Sequence, residues 1–266
     1  MFIPVELQGK RTVQVPRLKG EIVFENVGFS YGSDVEVLKE VNLRVAPGET
    51  LALVGPTGAG KSTIISLIAR FYDVTSGQIL VDGHDIRGID LTDYRHQLGL
   101  VLQDPFLFSG TVRDNIRYGN LEASEDDIVA AARTVGAHEF ITKLDDGYDY
   151  ELQERGQNLS MGQRQLISFA RALLADPAIL LLDEATANVD SYSEHVLQEA
   201  LERLLKGRTA VVIAHRLSTI RNAGRIIVVD KGRIVEQGRH DELIEKAGLY
   251  ARLYEMTQAT VAGKAS

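Results

Sequence analysis

The sequence has no cysteine among its 266 residues, which excludes disulfide bonds, thiolate metal sites and a catalytic thiol. It has no long hydrophobic stretch either. The longest apolar runs, such as residues 178–182, have five residues, whereas a membrane-spanning helix needs about 20. The first residues, MFIPVELQGKR, lack the apolar core of a signal peptide. Together these absences predict a soluble chain of cytosolic character.

The sequence also lacks net positive charge. It contains 29 Lys and Arg residues and 37 Asp and Glu residues, which gives a formal net charge of −8. Because phosphate backbones and anionic lipids attract basic surfaces, this balance disfavours a general nucleic-acid or membrane-surface binder. The 44% hydrophobic and 25% charged residues are ordinary values for a folded domain.

The order of apolar patterns predicts an α/β fold. Short apolar runs at residues 179–182, 210–214 and 226–229 alternate with helical patterns at residues 160–174 and 194–205. Apolar strands that alternate with helices indicate parallel strands covered on both faces. Further strand patterns precede this core, and Asp230-Lys231-Gly232 predicts a hairpin near the end.

The same patterns divide the chain. We expect a linker over residues 1–19, one domain over residues 20–258 with a helical arm at about 105–175, and a disordered tail over 259–266. Within the arm, Ser124 with Asp127 predicts a helix start.

The most specific motif is Gly55-Pro56-Thr57-Gly58-Ala59-Gly60-Lys61-Ser62, which fits G-x-x-x-x-G-K-[ST]. It follows a predicted strand and opens a helix. Glycines let the backbone N–H groups wrap a polyphosphate, and the helix start adds its positive dipole end. Lys61 can then reach the β- and γ-phosphates, and the Ser62 hydroxyl can ligate Mg²⁺. The alternative is a glycine-rich turn with a solvated lysine, which both pattern and context disfavour. We call residues 55–62 the phosphate loop.

A second motif is the apolar strand at residues 179–182 followed by Asp183 and Glu184. Neighbouring residues of a strand point to opposite faces, so the two carboxylates have different roles. Beside a phosphate loop, Asp183 can hold magnesium and Glu184 can orient or deprotonate the attacking water. Without a phosphate loop, the pair would be an ordinary solvated turn.

A third motif is Leu159-Ser160-Met161-Gly162-Gln163, which precedes a predicted helix and which we call the signature segment. Ser160 and Gln163 fit a capping box, and this structural role by itself would explain why these two residue types occur there. A helix start is also an anion site, so the backbone N–H groups of the same segment could bind a phosphate.

Taken in order, the phosphate loop, LSMGQ, LLLDEAT and His215 resemble an ATP-binding cassette (ABC) domain over residues 20–258. Within that superfamily the chain is most similar to the nucleotide-binding half of an exporter, because of GEIVFENVGFSYG, VLQDPFLFSGTVRDNI, LQERG and EQGRHDELIEKAGLYARLYE. The ERG segment resembles the exporter loop that contacts the membrane domain. The resemblance implies a phosphate-loop core sheet, an antiparallel β-subdomain and a helical subdomain. It also implies a longer polypeptide with a six-helix membrane domain, and a position at the cytoplasmic face of the membrane.

The resemblance implies a role for each matching residue. Tyr31 would stack on adenine, for which the ring rather than the hydroxyl matters, so we expect Tyr31→Phe to be nearly silent. Gln103 would touch Mg²⁺ and the lytic water, His215 the γ-phosphate, and Asp190 would communicate across a dimer. Mg²⁺ would be held by Ser62, Asp183 and Gln103, and catalysis would rest on Glu184, His215, Lys61 and Gln103. ATP would also contact Gly55, Pro56, Thr57, Gly58, Ala59, Gly60, Lys61, Ser62 and Thr63.

In such a dimer two domains enclose two ATP molecules, and Ser160, Gly162 and Gln163 serve the nucleotide on the partner's phosphate loop. The family's usual signature is LSGGQ, and Met161 departs from it. Some homodimeric members tolerate a substitution there. The change also resembles heterodimeric exporters, whose partner chain carries a weakened catalytic base, so it puts hydrolysis at both sites in question.

The resulting expectation is a Mg²⁺-dependent ATPase that powers export through ATP-driven dimerisation. Three alternatives remain: the stand-alone ATPase subunit of an importer, a non-transport nucleotide-gated clamp, and a non-hydrolytic regulatory domain. The exporter-like segments weigh against the first. Neither a basic groove nor a long heptad pattern supports the second, and intact Lys61, Asp183, Glu184 and His215 weigh against the third.

Overall fold

The computed structural model describes residues 13–32, 35–183, 191–214 and 217–264. In chain order the strands are β1 Ile22–Ser30, β2 Glu36–Val45, β3 Thr50–Val54, β4 Ser76–Val81, β5 His84–Asp85, β6 Leu98–Val101, β7 Gly110–Thr111, β8 Glu151–Leu152, β9 Ile179–Asp183, β10 Thr209–Ile213, β11 Arg225–Asp230 and β12 Arg233–Gly238. The helices are α1 Lys61–Ile68, α2 Leu91–His96, α3 Val112–Arg117, α4 Glu125–Thr134, α5 His138–Ile141, α6 Met161–Leu174, α7 Ser191–Leu205, α8 Leu217–Asn222, α9 His240–Glu245 and α10 Leu249–Lys264.

The central sheet has the order β12-β11-β3-β10-β9-β6. Its strands from β11 to β6 are parallel, and β12 returns antiparallel to β11. The apolar runs of β9, β10 and β11 are buried on both faces, as continuous hydrophobic strands of a parallel sheet must be. The predicted α/β fold is confirmed, as is the hairpin, in which Asp230 pairs with Arg233.

Alternate residues of these strands enter two different cores. Leu182 and Val212 pack in the core that includes α6 and α7. Leu181 and Val211 pack in the core shared with α1 and the second sheet. Successive side chains of a strand point to opposite faces, so one sheet separates the two cores.

The second sheet is the predicted antiparallel β-subdomain, with the order β2-β1-β4-β5. Its buried residues, such as Phe24 and Val41, pack in the same core as Ile64 of α1. This packing places the end of β1 beside the first turns of α1, where the phosphate loop ends.

The helical arm contains α3 to α6, and α4 and α6 start after Ser124 and Ser160 as the sequence predicts. It is not purely helical. The two-residue strands β7 and β8 pair antiparallel within it, and Glu154–Gly156 forms a single 3₁₀ turn. Two-residue strands paired about 40 residues apart leave no periodic pattern, which explains why the sequence did not predict them.

The two ends of the described chain both pack on the domain. Val13 bridges to Ile89, and the buried Leu18 donates its N–H to the Gln97 side chain at 2.6 Å. At the other end, α10 continues through Lys264. This corrects the expectation of a disordered tail from residue 259, because a helix already formed extends without a new nucleation cost. Residues 1–12 of the expected linker and residues 265–266 lie outside the described residues.

No helix among the described residues has the length and apolar character needed to cross a membrane.

Candidate functional site

The phosphate loop connects β3 to α1 at the carboxyl end of the central sheet. Its first glycine, Gly55, has φ 155°, and a Cβ there would come within 2.1 Å of the Val229 carbonyl oxygen on β11. Gly60 has φ 110°, and a Cβ would meet the Leu38 side chain at 2.7 Å. The loop can therefore lie this close to both sheets only with glycine at these positions.

The loop leaves several donors open to a ligand. Ala59 N–H donates to Pro56 O, and Ala59 O accepts from Gly232 N–H, so the β11–β12 turn supports the loop from behind. Within the described part of the chain, no acceptor receives the backbone N–H groups of Gly58, Gly60, Lys61 or Ser62. Thr57 and Gly58 are exposed. Unpaired N–H groups in a turn at a helix start form an anion-binding nest.

The Lys61 ammonium lies over this loop. Its Nζ donates to Gly55 O at 2.7 Å and to Pro56 O at 2.8 Å, and the residue is 9% exposed. Burial lowers the pKa of Lys61, and the nearby negative charge of Asp183 acts in the opposite direction. Among the described residues, the acceptors of this ammonium are these two carbonyl oxygens, which carry no full counter-charge, so the site favours an anion.

Ser62 and Asp183 come together at the ends of two strands. Ser62 Oγ, in the first turn of α1, lies 3.4 Å from Asp183 Oδ2 at the end of β9. In the sheet, β10 lies between β9 and β3, the strand that leads into the phosphate loop. A hydroxyl and a carboxylate are hard oxygen ligands of the kind that Mg²⁺ takes together with phosphate oxygens. The described residues contain no group of three or more His, Cys, Asp or Glu arranged for a metal.

Three predicted residues, Glu184, Asp190 and His215, lie outside the described residues. In the sequence, Glu184 directly follows Asp183 and His215 directly follows Ala214. The N–H of Ala214 donates to Leu53 O at 3.3 Å. The roles of these three residues stay predictions.

Gln103 follows β6, which pairs with β9 so that Val101 lies opposite Leu182. The glutamine is exposed, and no hydrogen bond is found for its side chain among the described residues. Its strand therefore ends beside the strand of Asp183, on the side away from β10.

Tyr31 lies just after β1 and is 53% exposed. Its hydroxyl hydrogen-bonds the Thr63 Oγ1 at 3.0 Å. Thr63 follows Ser62 in α1, so the tyrosine contacts the end of the phosphate loop directly. This contact gives the hydroxyl a partner that the sequence analysis did not foresee.

The signature segment starts α6 with the capping box that the sequence indicates. Ser160 Oγ accepts from Gln163 N–H at 3.2 Å, and Gln163 Oε1 accepts from Ser160 N–H at 2.9 Å. Gly162 is buried. The Met161 sulfur lies 3.6 Å from Arg164 Nη2, so its side chain covers part of the first helical turn.

Two aromatic residues beside Tyr31 did not come from sequence reasoning. The Tyr31 ring meets Phe29 at a centroid distance of 4.8 Å and Tyr72 at 5.1 Å, both edge to face. The contact of Phe29 with Tyr31 could have been predicted from their spacing, because residues i and i+2 of a strand share a face. The contact of Tyr72 could not, because Tyr72 meets Tyr31 only through the packing of two distant segments.

Comparison with known proteins gives consistent matches. The ABC transporter family model matches residues 38–187. An uncharacterised ABC transporter ATP-binding protein of Bacillus subtilis is 55% identical over 244 residues, which are 92% of this chain and 40% of that protein. The ATP-dependent lipid A-core flippase of Syntrophus aciditrophicus is 51% identical over 255 residues, 96% of this chain and 42% of the flippase. The chain thus spans less than half the length of these relatives.

Among solved structures, a bacterial Atm1-family ABC exporter with ATP bound superposes with a TM-score of 0.86 at 42% identity. The match covers 95% of this chain and 44% of the exporter chain. Sequence and fold therefore agree, and the exporter-type resemblance is confirmed. This chain belongs to the ABC transporter family and carries its ATP-binding, ATP-hydrolysing domain.

Proposed function

We propose that this chain binds Mg-ATP on its phosphate loop and hydrolyses it to drive export by a longer transporter. A membrane domain would accompany it, with this domain at the cytoplasmic face. The observation that carries the proposal is the convergence of Lys61, Ser62 and Asp183 at one edge of the central sheet. The names of the relatives, a flippase and an exporter, favour export over import.

Different residues would bind the phosphates and the Mg²⁺ ion. The loop N–H groups and Lys61 would hold the phosphates, and Ser62, Asp183 and Gln103 would hold Mg²⁺. An ion bound there would neutralise negative charge on the phosphates. Hydrolysis then consists of water attack on the γ-phosphorus and cleavage of its bond to the bridging oxygen of ADP.

Two residues outside the described part of the chain complete this step. Glu184 takes the proton of the attacking water, and His215 supports the γ-phosphate. Positioning and charge stabilisation supply most of the rate enhancement in phosphoryl transfer.

ATP would also close a dimer of such domains. Ser160, Gly162 and Gln163 would face the nucleotide of the partner domain, and Asp190 would connect the two sites. In support, the described residues show no hydrogen bond between the phosphate loop and the signature segment of the same chain. The first turn of α6 has a capped helix N-terminus, which favours an anion.

The dimer partner would be a different chain. Met161 stands in the signature segment of a chain whose Lys61, Asp183 and Glu184 are intact. A homodimer would place Met161 in both sites, whereas a heterodimer confines it to one and pairs Glu184 with an LSGGQ signature of the partner.

The test of hydrolysis is Glu184→Gln, which removes a base and keeps the polar shape. We expect turnover to fall by about 10²–10⁴-fold, the usual contribution of a general base, while Mg-ATP affinity measured by calorimetry stays close to wild type. Glu122→Gln, at an exposed glutamate of the helical arm, is the matched control and should keep full activity. A Glu184→Gln protein that retains more than about a tenth of wild-type kcat would remove Glu184 from this role.

A further inference from the structure

The Tyr31 side chain is contacted by three residues of its own chain. Phe29 contacts it at 4.8 Å with an interplanar angle of 86°, and Tyr72 at 5.1 Å with an angle of 89°. The hydroxyl is held by Thr63 Oγ1 at 3.0 Å. Even so, the residue remains 53% exposed, so part of the ring is still open to a planar ligand.

The two segments that supply these contacts are joined to each other. Thr75 N–H donates to Gly28 O at 3.0 Å, and Ser30 N–H donates to Thr75 Oγ1 at 3.2 Å. The end of β1 and the segment after α1 are thus tied through Gly28 and Ser30, which flank Phe29, and through Thr75, which lies three residues after Tyr72.

The segment that carries Tyr72 is also bonded to residues 87–89. Arg70 is 5% exposed and donates to Ile89 O at 3.0 Å and to Arg87 O at 3.2 Å. Its Nε contacts Asp73 Oδ1 at 3.2 Å. Tyr72 therefore lies between two residues whose side chains are bonded to one another, so the backbone that carries its ring is held in place.

A ring fixed in this way binds a base more tightly than a free one. Ordering a mobile side chain on binding costs free energy, and a side chain that is ordered beforehand avoids this cost. The corresponding gain in affinity is about two- to tenfold. The gain applies to ligands that stack on the ring and not to ligands that only reach the phosphate loop.

We propose that Tyr72 and the Tyr31 hydroxyl are positioning groups, which hold the Tyr31 ring as a rigid platform for a purine base. The proposal rests on the proposed function and on the expected stacking of Tyr31 on adenine, and it adds the role of Tyr72 and of the hydroxyl. It changes one expectation from the sequence: Tyr31→Phe is no longer expected to be silent, because it removes the bond to Thr63.

The experiment measures two ligands by calorimetry, Mg-ATP and Mg-tripolyphosphate, which has the phosphates without the base. We expect Tyr72→Leu and Tyr31→Phe each to weaken Mg-ATP binding about two- to tenfold and to leave tripolyphosphate binding unchanged. Tyr72→Phe keeps the ring edge and should restore wild-type affinity. Tyr118→Leu, at a tyrosine of the helical arm that is 58% exposed, is the matched control and should bind both ligands like wild type.

Two results would overturn the platform. One is wild-type ATP affinity in both Tyr72→Leu and Tyr31→Phe, and the other is an equal loss for ATP and tripolyphosphate, which indicates a general structural effect. A wild-type protein that binds neither ligand would contradict the proposed function itself and the platform with it. The two failures are therefore distinguishable.

Discussion

At the scale of single residues, Lys61 shows how the fold prepares a cation for a ligand. The ammonium is nearly buried, and its acceptors are two carbonyl oxygens of its own loop. Burial lowers the pKa of this lysine, which means that the charged form is poorly solvated there. An arriving phosphate would supply the missing counter-charge.

We therefore expect Lys61→Ala to weaken Mg-ATP binding. Hydrogen bonds to charged groups contribute about 1.5–3 kcal/mol, which corresponds to roughly 10–100-fold in affinity. Calorimetric titration measures this change, and Lys206→Ala, at an exposed lysine after α7, is the matched control. Equal affinities in wild type and Lys61→Ala would refute the assignment of the phosphate loop.

The sequence predicted the residues of this part of the site for a physical reason. The phosphate loop is a local motif, and Asp183 ends an apolar strand, so both could be placed from their neighbours alone. The contact of Tyr31 with Thr63 and the approach of Tyr72 depend on how two sheets pack against α1. No local pattern encodes such packing, so these contacts became visible only in the structure.

At the scale of elements, capping boxes define three helix starts of the arm. Thr111 with Asp114 begins α3, Ser124 with Asp127 begins α4, and Ser160 with Gln163 begins α6. The sequence analysis identified the second and the third, because each lies directly before a helical apolar pattern. It missed the first, since α3 has only six residues and almost no period of its own.

The aspartates of the first two capping boxes make the stability of the fold depend on pH. Hydrogen bonds from the Thr111 and Ser124 side chains, followed by those from their backbone N–H groups, lower the pKa values of Asp114 and Asp127 below the ordinary 3.8. A lowered pKa in the folded state stabilises the fold above the unfolded pKa. That stabilisation disappears as the pH falls from the ordinary value through the folded value.

Asp127→Asn should accordingly lower the melting temperature at pH 7, and the difference from wild type should shrink toward pH 3. Thermal unfolding followed by circular dichroism at several pH values measures this convergence. Asp126→Asn changes a first-turn acid that is not part of the capping box and serves as the matched control. If the gap between Asp127→Asn and wild type is the same at pH 3 and pH 7, the cap does not act through its ionised carboxylate.

At the scale of the whole molecule, the central sheet is the element that both cores share. Strands β9, β10 and β11 were predictable because each is a continuous apolar run. Their order in the sheet, with β10 between β3 and β9, is a long-range property that the sequence patterns did not specify. That order brings Ser62 near Asp183, while the signature segment begins a helix of the arm.

In the proposed dimer the phosphate loop of one chain would meet the signature segment of the other. Met161 is the residue on which the proposal of a different partner chain rests. Its sulfur lies 3.6 Å from Arg164 Nη2, and Arg164 also donates to Leu159 O at 2.7 Å. The side chain is thereby held over the helix start that would face the partner's phosphates.

Removing this side chain should therefore let the domain pair with itself. We expect Met161→Gly and Met161→Ala both to raise self-association in Mg-ATP and turnover per chain, relative to a wild type that stays largely monomeric and slow. The alanine variant is included because glycine costs about 1 kcal/mol within a helix. Met256→Ala, in α10, is the matched control. Sedimentation and ATPase assays over a concentration series measure both quantities. If wild type already dimerises with ATP and hydrolyses it cooperatively at full rate, Met161 is compatible with a homodimer, and the proposal of a different partner chain is wrong.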